Sequence, residues 1–267
     1  MGRPGIAALA GVLAELVLPR SCAGCGIPGS MLCPRCAAQL AEPRTASPRR
    51  FPWGFPPTVA AGAYAGPVRP AVIAFKERGR AELARPLGAA LALAVAVVVS
   101  AVPGPPRPVA LVPVPSSREA LRSRGRDHVR ELTARALAEL AAAGVPASEA
   151  RLLVRRGRAQ DSAGLSAAQR RANLAGTFQR SGGVPSGALL VLVDDVVTTG
   201  ATLTEAAAAL GADASRTGRP VLAAVVAATP RADPEHRRMQ ESRVAGVRSE
   251  NLRRRSVHRL SGPGRSD

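Results

Sequence analysis

Short, nearly continuous apolar runs alternate along this chain with longer stretches in which apolar residues recur every three or four positions. The runs at 58–65, 109–114, 189–193 and 221–228 predict strands. The periodic stretches at 67–78, 81–101, 118–143 and 201–214 predict helices. Leu189-Leu190-Val191-Leu192-Val193 has no polar alternation at all, as expected of a parallel strand covered on both faces. Pro113 and Pro115 stop the second strand, and Ser116 is placed to cap the helix after it. The stretch 151–178 is less regular, and Gly182-Gly183 with Pro185-Ser186-Gly187 turns the chain into the next strand. Strands alternating with helices predict an α/β fold with a parallel sheet flanked by helices.

The 267 residues allow one well-buried domain with extensions, since domains run to about 100 to 200 residues. Nearly half the residues are apolar but only six are aromatic, so Ala, Val and Leu must build the core. An apolar run at 6–18 contains Glu15 and ends at Pro19-Arg20 without a small-residue cleavage site, which predicts an amino-terminal helix over 1–20 rather than a secretory signal. The apolar segment 87–102 falls short of the roughly 20 residues a membrane span needs and predicts a buried helix, with no membrane span. A cytoplasmic location is the expectation. The net charge of +18 rests on Arg with a single Lys, and a basic tail at 231–267, expected to be disordered, carries ten Arg against five acids. Such a surface is compatible with DNA as a partner and equally with a soluble basic protein.

All four cysteines fall within fifteen residues as Cys22-Ala23-Gly24-Cys25 and Cys33-Pro34-Arg35-Cys36. Each C-x-x-C turn aims two thiolates at one point, and two such turns facing each other make the tetrahedral sulfur cage that zinc prefers. With sulfur at every corner no coordination position is left for a substrate, so the metal would be structural. This defines a four-cysteine zinc-binding module at 21–42. Paired disulfides or a redox motif are the competing reading, which a reducing compartment disfavours. The Pro- and Arg-rich stretch 43–57 reads as a linker, and the main domain is expected over 58–230.

At the carboxyl end of the central strand stand Asp194-Asp195-Val196-Val197, then Thr198-Thr199-Gly200-Ala201-Thr202 before a helix. Ligands of parallel α/β sheets bind beyond the carboxyl ends of strands. The threonine hydroxyls, the close approach that Gly200 permits, and the free N–H groups of the new helix suit a phosphate monoester. Two carboxylates beside it suit vicinal ribose hydroxyls or the waters of a magnesium ion. No Gly-Lys-Ser/Thr of a Walker loop occurs. Lys76, the one lysine, offers a compact charge that a planar guanidinium does not replace. Arg118, Arg122 and Arg124 either line an anion site or are merely solvated. His128 is expected to be a surface helix residue in preference to a catalytic one.

The segment Val191-Leu192-Val193-Asp194-Asp195-Val196-Val197-Thr198-Thr199-Gly200-Ala201-Thr202-Leu203 resembles the signature of type I phosphoribosyltransferases. With the four-cysteine module, Val112-Pro113-Val114-Pro115 followed by Arg118, Arg122, Arg124 and Gly125, and then Gln160, Arg170 and Asn173, the chain resembles the ComF family in particular. The resemblance implies a phosphoribosyltransferase fold over 58–230 that binds phosphoribosyl pyrophosphate with magnesium. Thr198, Thr199, Gly200, Ala201 and Thr202 would take the 5′-phosphate, Asp194 and Asp195 the ribose hydroxyls, and the turn holding Ser116 the pyrophosphate. Asp127-His128 stands where family members often carry Asn-Gln. The family's association with competence implies a second possibility, a non-catalytic phosphoribosyl- or nucleotide-binding protein that assists DNA uptake.

Overall fold

The computed structural model describes residues 21–48, 53–156, 176–217 and 220–230, with only the backbone for 212–217. The helix expected over 1–20, the tail 231–267, and Gln160, Arg170 and Asn173 lie outside the described residues.

Chain order begins with a short helix α1 (Pro34–Ala38), then β1 (Arg44–Thr45), β2 (Thr58–Ala63), α2 (Val68–Glu77) and, after a 3-10 turn, α3 (Ala84–Ser100). It continues through β3 (Val109–Pro113), α4 (Arg118–Arg124), α5 (His128–Ala142), β4 (Ala147–Glu149) and β5 (Leu153–Arg155). The last elements are β6 (Phe178–Arg180), β7 (Leu189–Val197), α6 (Ala201–Thr217) and β8 (Leu222–Ala228). Six strands form one sheet in the order β1-β2-β8-β7-β3-β4, parallel throughout except for β1, and β5 with β6 makes a separate antiparallel pair. The α/β class with helices on a mostly parallel sheet is therefore as the hydrophobic pattern predicts.

The period of two along each strand splits the core into two layers. Val191 and Val193 of β7, with Leu222, Ala224 and Val226 of β8, meet Phe75 of α2, Leu87 and Leu91 of α3, and Leu132 of α5. Leu190 and Leu192, with Ala223 and Val225, meet Leu203, Ala206 and Leu210 of α6 and Leu153 and Phe178 of the small hairpin. On the first face α3 and α5 approach so closely at Gly88 that a Cβ there would meet Arg135. The stretch Ala81–Ser100 is long and apolar enough to cross a bilayer, so shortness does not exclude a span as the sequence reading assumed. Over half of it is buried inside the fold, where it covers β2, β7 and β8, and that packing accounts for its composition.

Three expectations change. The helix expected over 118–143 is two helices, because Gly125 turns left-handed at φ 66° to end α4 and the Asp127 side chain accepts from the Arg130 N–H to start α5. The strand expected over 189–193 continues to Val197, since its pairing with β8 runs on through Asp194 opposite Val225 and Val197 opposite Ala228. Described parts of 43–57 pack on the sheet: β1 pairs with β2, and Ala46 and Phe55 are buried in the second core layer. The cysteine module before it shares the same compact unit, with Leu40 in the first core layer and Gln39 crossing so near Gly62 of β2 that no Cβ would fit there.

Candidate functional site

Strand order places a crevice at one point. After β3 the chain passes to α4 and α5 on the first face of the sheet, whereas after neighbouring β7 it passes to α6 on the other face. Departing in opposite directions, the two connections leave a gap between the carboxyl ends of β3 and β7, where open α/β sheets bind ligands. The turn Pro115-Ser116-Ser117 lines one side and Thr198-Thr199-Gly200 the other.

On the β7 side Thr198 is exposed and Thr199 and Thr202 are half-buried, so none of the three is packed into the core. Gly200, at φ 79°, makes the left-handed turn that opens α6, and the Thr204 N–H and hydroxyl close that first turn on the Gly200 carbonyl at 2.9 and 3.0 Å. Ala201 is buried, and the leading N–H groups of this seventeen-residue helix have no carbonyl behind them in the helix. On the β3 side the cap expected of Ser116 is made by Ser117, which accepts from the Ala120 N–H to start α4, and the Ser116 hydroxyl lies 3.5 Å from Asp127, too far for a firm bond.

The two aspartates do different things. As consecutive strand residues they leave opposite faces of the sheet. Asp195 points to the first face, where its Oδ2 meets the Lys76 Nζ at 2.7 Å and the His128 Nε2 at 3.1 Å, with its side chain 5 % exposed. Its Oδ1 accepts from the Val196 N–H at 2.7 Å. Burial alone would raise its pKa, but the His128 hydrogen bond and the Lys76 charge outweigh that and hold the carboxyl well below the usual range. Lys76 is in turn raised, because Asp195 overcomes its own desolvation. Asp194 remains half-buried, and its Oδ1 accepts from the Asp195 N–H at 2.9 Å. Burial and then the Asp195 charge push it upward.

His128 is thus 4 % exposed and belongs to the site's floor, a correction to its reading as a surface residue. Its ring stands edge-on to Phe75 at 6.4 Å, and its Nδ1 is buried without a hydrogen-bond partner. The sequence marked Asp127-His128 only as a departure from the family pattern, because helix α5 alone does not show that its first residue reaches the acid of a strand far along the chain. Lys76, Asp195 and His128 come from α2, β7 and α5 and meet only in the fold. Arg155 of β5 is another residue missed: its guanidinium lies over the Phe178 ring at 5.5 Å and feels the Asp194 charge. Burial lowers its pKa, and its Nε is buried without a partner.

The cationic helix start is divided. Arg124 makes a double hydrogen bond to Glu77 at 2.9 and 3.1 Å, so its charge is committed, while Arg118 and Arg122 are exposed. Arg126 stacks on Phe75 at 4.4 Å and pairs with Glu131.

The four cysteine sulfurs lie within 4.8 Å of one another. Tetrahedral coordination at about 2.3 Å separates sulfurs by about 3.8 Å, and Cys25 and Cys33 stand 3.7 Å apart. Although burial opposes it, N–H groups of Cys33, Cys25 and Gly24 lower the Cys22 thiol to about 6, while burial raises Cys36. The Cys33 N–H approaches the Cys22 sulfur at 3.3 Å. The set can hold a metal ion such as zinc. A Cβ on Gly24 would lie 2.9 Å from the Cys36 sulfur, so glycine is what lets the turn close over the cluster. Arg80 donates to the Ser21 carbonyl at 2.8 Å and ties this module to the sheet side of the fold.

Fold and site together define an α/β protein with a mostly parallel sheet, a hydroxyl-rich turn at its switch point and a cluster of four cysteines that can hold a metal ion. Set beside known proteins, the chain matches no family model and no curated protein.

Proposed function

We propose that the crevice between β3 and β7 binds a phosphorylated ribose, as phosphoribosyl pyrophosphate or a ribose 5-phosphate unit with magnesium, and that the chain is a phosphoribosyltransferase-fold protein of the ComF type. The observation that carries this reading is the turn Thr198–Thr202 at the switch point, with Thr198 exposed and Thr199 and Thr202 half-buried, continuous with the amino terminus of α6. In this reading the turn takes the 5′-phosphate. Asp194, the less enclosed acid, meets the ribose diol, while Asp195 holds Lys76 in place from below. Lys76, still 30 % exposed, offers its charge to the diphosphate, with Ser116 and Arg118 on the opposite bank.

Transfer would break the bond from ribose C1 to the diphosphate oxygen, the electron pair leaving with the diphosphate, while an acceptor nitrogen bonds to C1 and then gives up a proton. Cations beside the leaving group stabilise its developing negative charge, and magnesium, if held near Asp194, would supply further positive charge to offset it. No protein nucleophile is needed. Zinc in the cysteine cluster has a structural role, since all four ligand positions are sulfur.

The test is calorimetry with phosphoribosyl pyrophosphate, with and without magnesium. Magnesium-dependent binding that Asp194→Asn and Thr198→Ala both abolish supports the reading, and no binding under either condition ends it. The net charge of +18 favours a second version, a ligand-binding accessory protein in DNA handling. Consumption of the sugar donor when purine, pyrimidine and amine acceptors are offered separates enzyme from accessory.

A further inference from the structure

Pro48 and Phe55 lie against the head of α6, and beside Phe55 stands an arrangement that nothing in the phosphate or ribose reading uses. A Cβ built on Gly200 would lie 2.8 Å from two ring carbons of Phe55 and 3.0 Å from Pro48, so this segment rests directly on the turn that opens α6. Phe55 is 8 % exposed and belongs to the core layer of Leu203 and Ala206. Two positions earlier the side chain does the opposite. Trp53 is 99 % exposed, the one aromatic fully in solvent among the described residues. Between them Gly54 takes φ 79°, a left-handed turn that drops Phe55 into the core and throws Trp53 outward.

Position and rigidity both matter. Gly54 lies against Thr204, whose methyl would be 3.9 Å from a Cβ there. Thr204 in turn bonds the Gly200 carbonyl. Trp53 is thus the chain neighbour of the residue that borders the first turn of α6. Pro56 and Pro57 follow Phe55, and the Thr58 hydroxyl donates to the Pro56 carbonyl at 2.7 Å, so the chain on the carboxyl side of Trp53 is stiff. A chain with six aromatic residues in 267 exposes its only tryptophan beside its hydroxyl-rich turn.

We infer that Trp53 is a stacking platform for the nucleobase of a nucleoside 5′-monophosphate whose phosphate occupies the Thr198–Thr202 turn. The inference deepens the phosphoribosyl reading and rests on it: it makes the ligand class a base-bearing nucleotide and not a bare sugar phosphate. An indole face takes any heteroaromatic ring, more strongly with a larger one, so purine nucleotides bind better than pyrimidine ones.

Because Trp53 is the single tryptophan, its emission reports this residue alone. The experiment titrates the full chain with GMP, UMP and ribose 5-phosphate in magnesium, reading tryptophan fluorescence and calorimetry in parallel. GMP is expected to quench the emission at the concentrations where heat is released, UMP less strongly, and ribose 5-phosphate to bind without quenching. Trp53→Ala is expected to weaken GMP about ten-fold, leave ribose 5-phosphate unchanged, and Trp53→Phe to restore most of the loss. GMP binding no more tightly than ribose 5-phosphate, or binding without quenching, overturns the platform while leaving the phosphoribosyl site standing. Equal weakening of both ligands in Trp53→Ala, or equal quenching by an oligonucleotide lacking a 5′-phosphate, overturns it too. Failure of all three small ligands to bind overturns both readings.

Discussion

Substituting the two adjacent aspartates by asparagine separates their roles. At Asp195 the carboxylate is 5 % exposed and faces the Lys76 ammonium at 2.7 Å, so Asp195→Asn leaves a cation with 30 % side-chain exposure opposite a neutral amide. Removing one partner of a buried pair costs about 3 to 5 kcal/mol, and the residual exposure of Lys76 puts this case near about 3. In a fold of this size each kcal/mol moves the midpoint by about 2 to 4 °C, so Asp195→Asn should melt roughly 6 to 12 °C below wild type at pH 7. Asp194→Asn keeps an oxygen for the Asp195 N–H and removes a charge that burial and its neighbour already disfavour, so its midpoint should stay level or rise. Circular dichroism melts give both numbers. A double variant, Lys76→Met with Asp195→Asn, should recover most of the loss, because no charge is then stranded. The pH dependence has opposite signs. The depressed pKa of Asp195 gives stability present above its unfolded value near about 4 and lost as acid protonates it. The raised pKa of Asp194 means stability falls as pH climbs from about 4 through its folded value, so the Asp194→Asn advantage grows over that interval. An Asp195→Asn midpoint within about 2 °C of wild type, which is about 1 kcal/mol or less, or an equal loss in Asp194→Asn, refutes the assignment.

Metal analysis of the purified full chain should find one zinc per molecule, and chelation should expose the 21–48 segment to protease before the sheet unfolds; a zinc-free chain with the same protease pattern would remove the cluster's role. Gly200→Ala should cost about 1 to 3 kcal/mol in urea unfolding, since it meets both a left-handed φ and the Phe55 ring, and unchanged stability would show that the overlying segment yields freely. Gly88→Val should lose a similar amount by forcing α3 from Arg135 of α5, without altering the metal content. His128→Gln, which keeps a donor for Asp195, should melt within a few degrees of wild type, whereas His128→Leu should fall further; the reverse order would mean that its hydrogen bond contributes nothing.

Much of the architecture follows from local pattern. The apolar runs of β7 and β8 and the periodic stretches of α3 and α6 could belong only to a covered parallel sheet, and both the cysteine spacing and the acid-threonine turn lie in continuous sequence. Boundaries set by single residues were harder to read: Gly125 divides one apparent helix, and pairing with β8 draws two aspartates into a strand whose apolar run ends before them. Segment 43–57 reads as a linker because Pro and Arg dominate it, and nothing local reveals that Ala46 and Phe55 find a core layer or that Arg44 pairs with Ala60.

What the chain determines by itself is chemistry held within a few neighbouring residues, where spacing and backbone geometry suffice: sulfur ligands in two tight turns, hydroxyls at a helix start, strands that must be covered. The tertiary structure alone decided which aspartate is enclosed, that Lys76 and His128 enclose it, and that Phe55 sits on Gly200 while Trp53 stands in water. Those outcomes depend on partners tens of residues apart, brought together by burial of apolar surface that carries no record, in any one segment, of what it will meet.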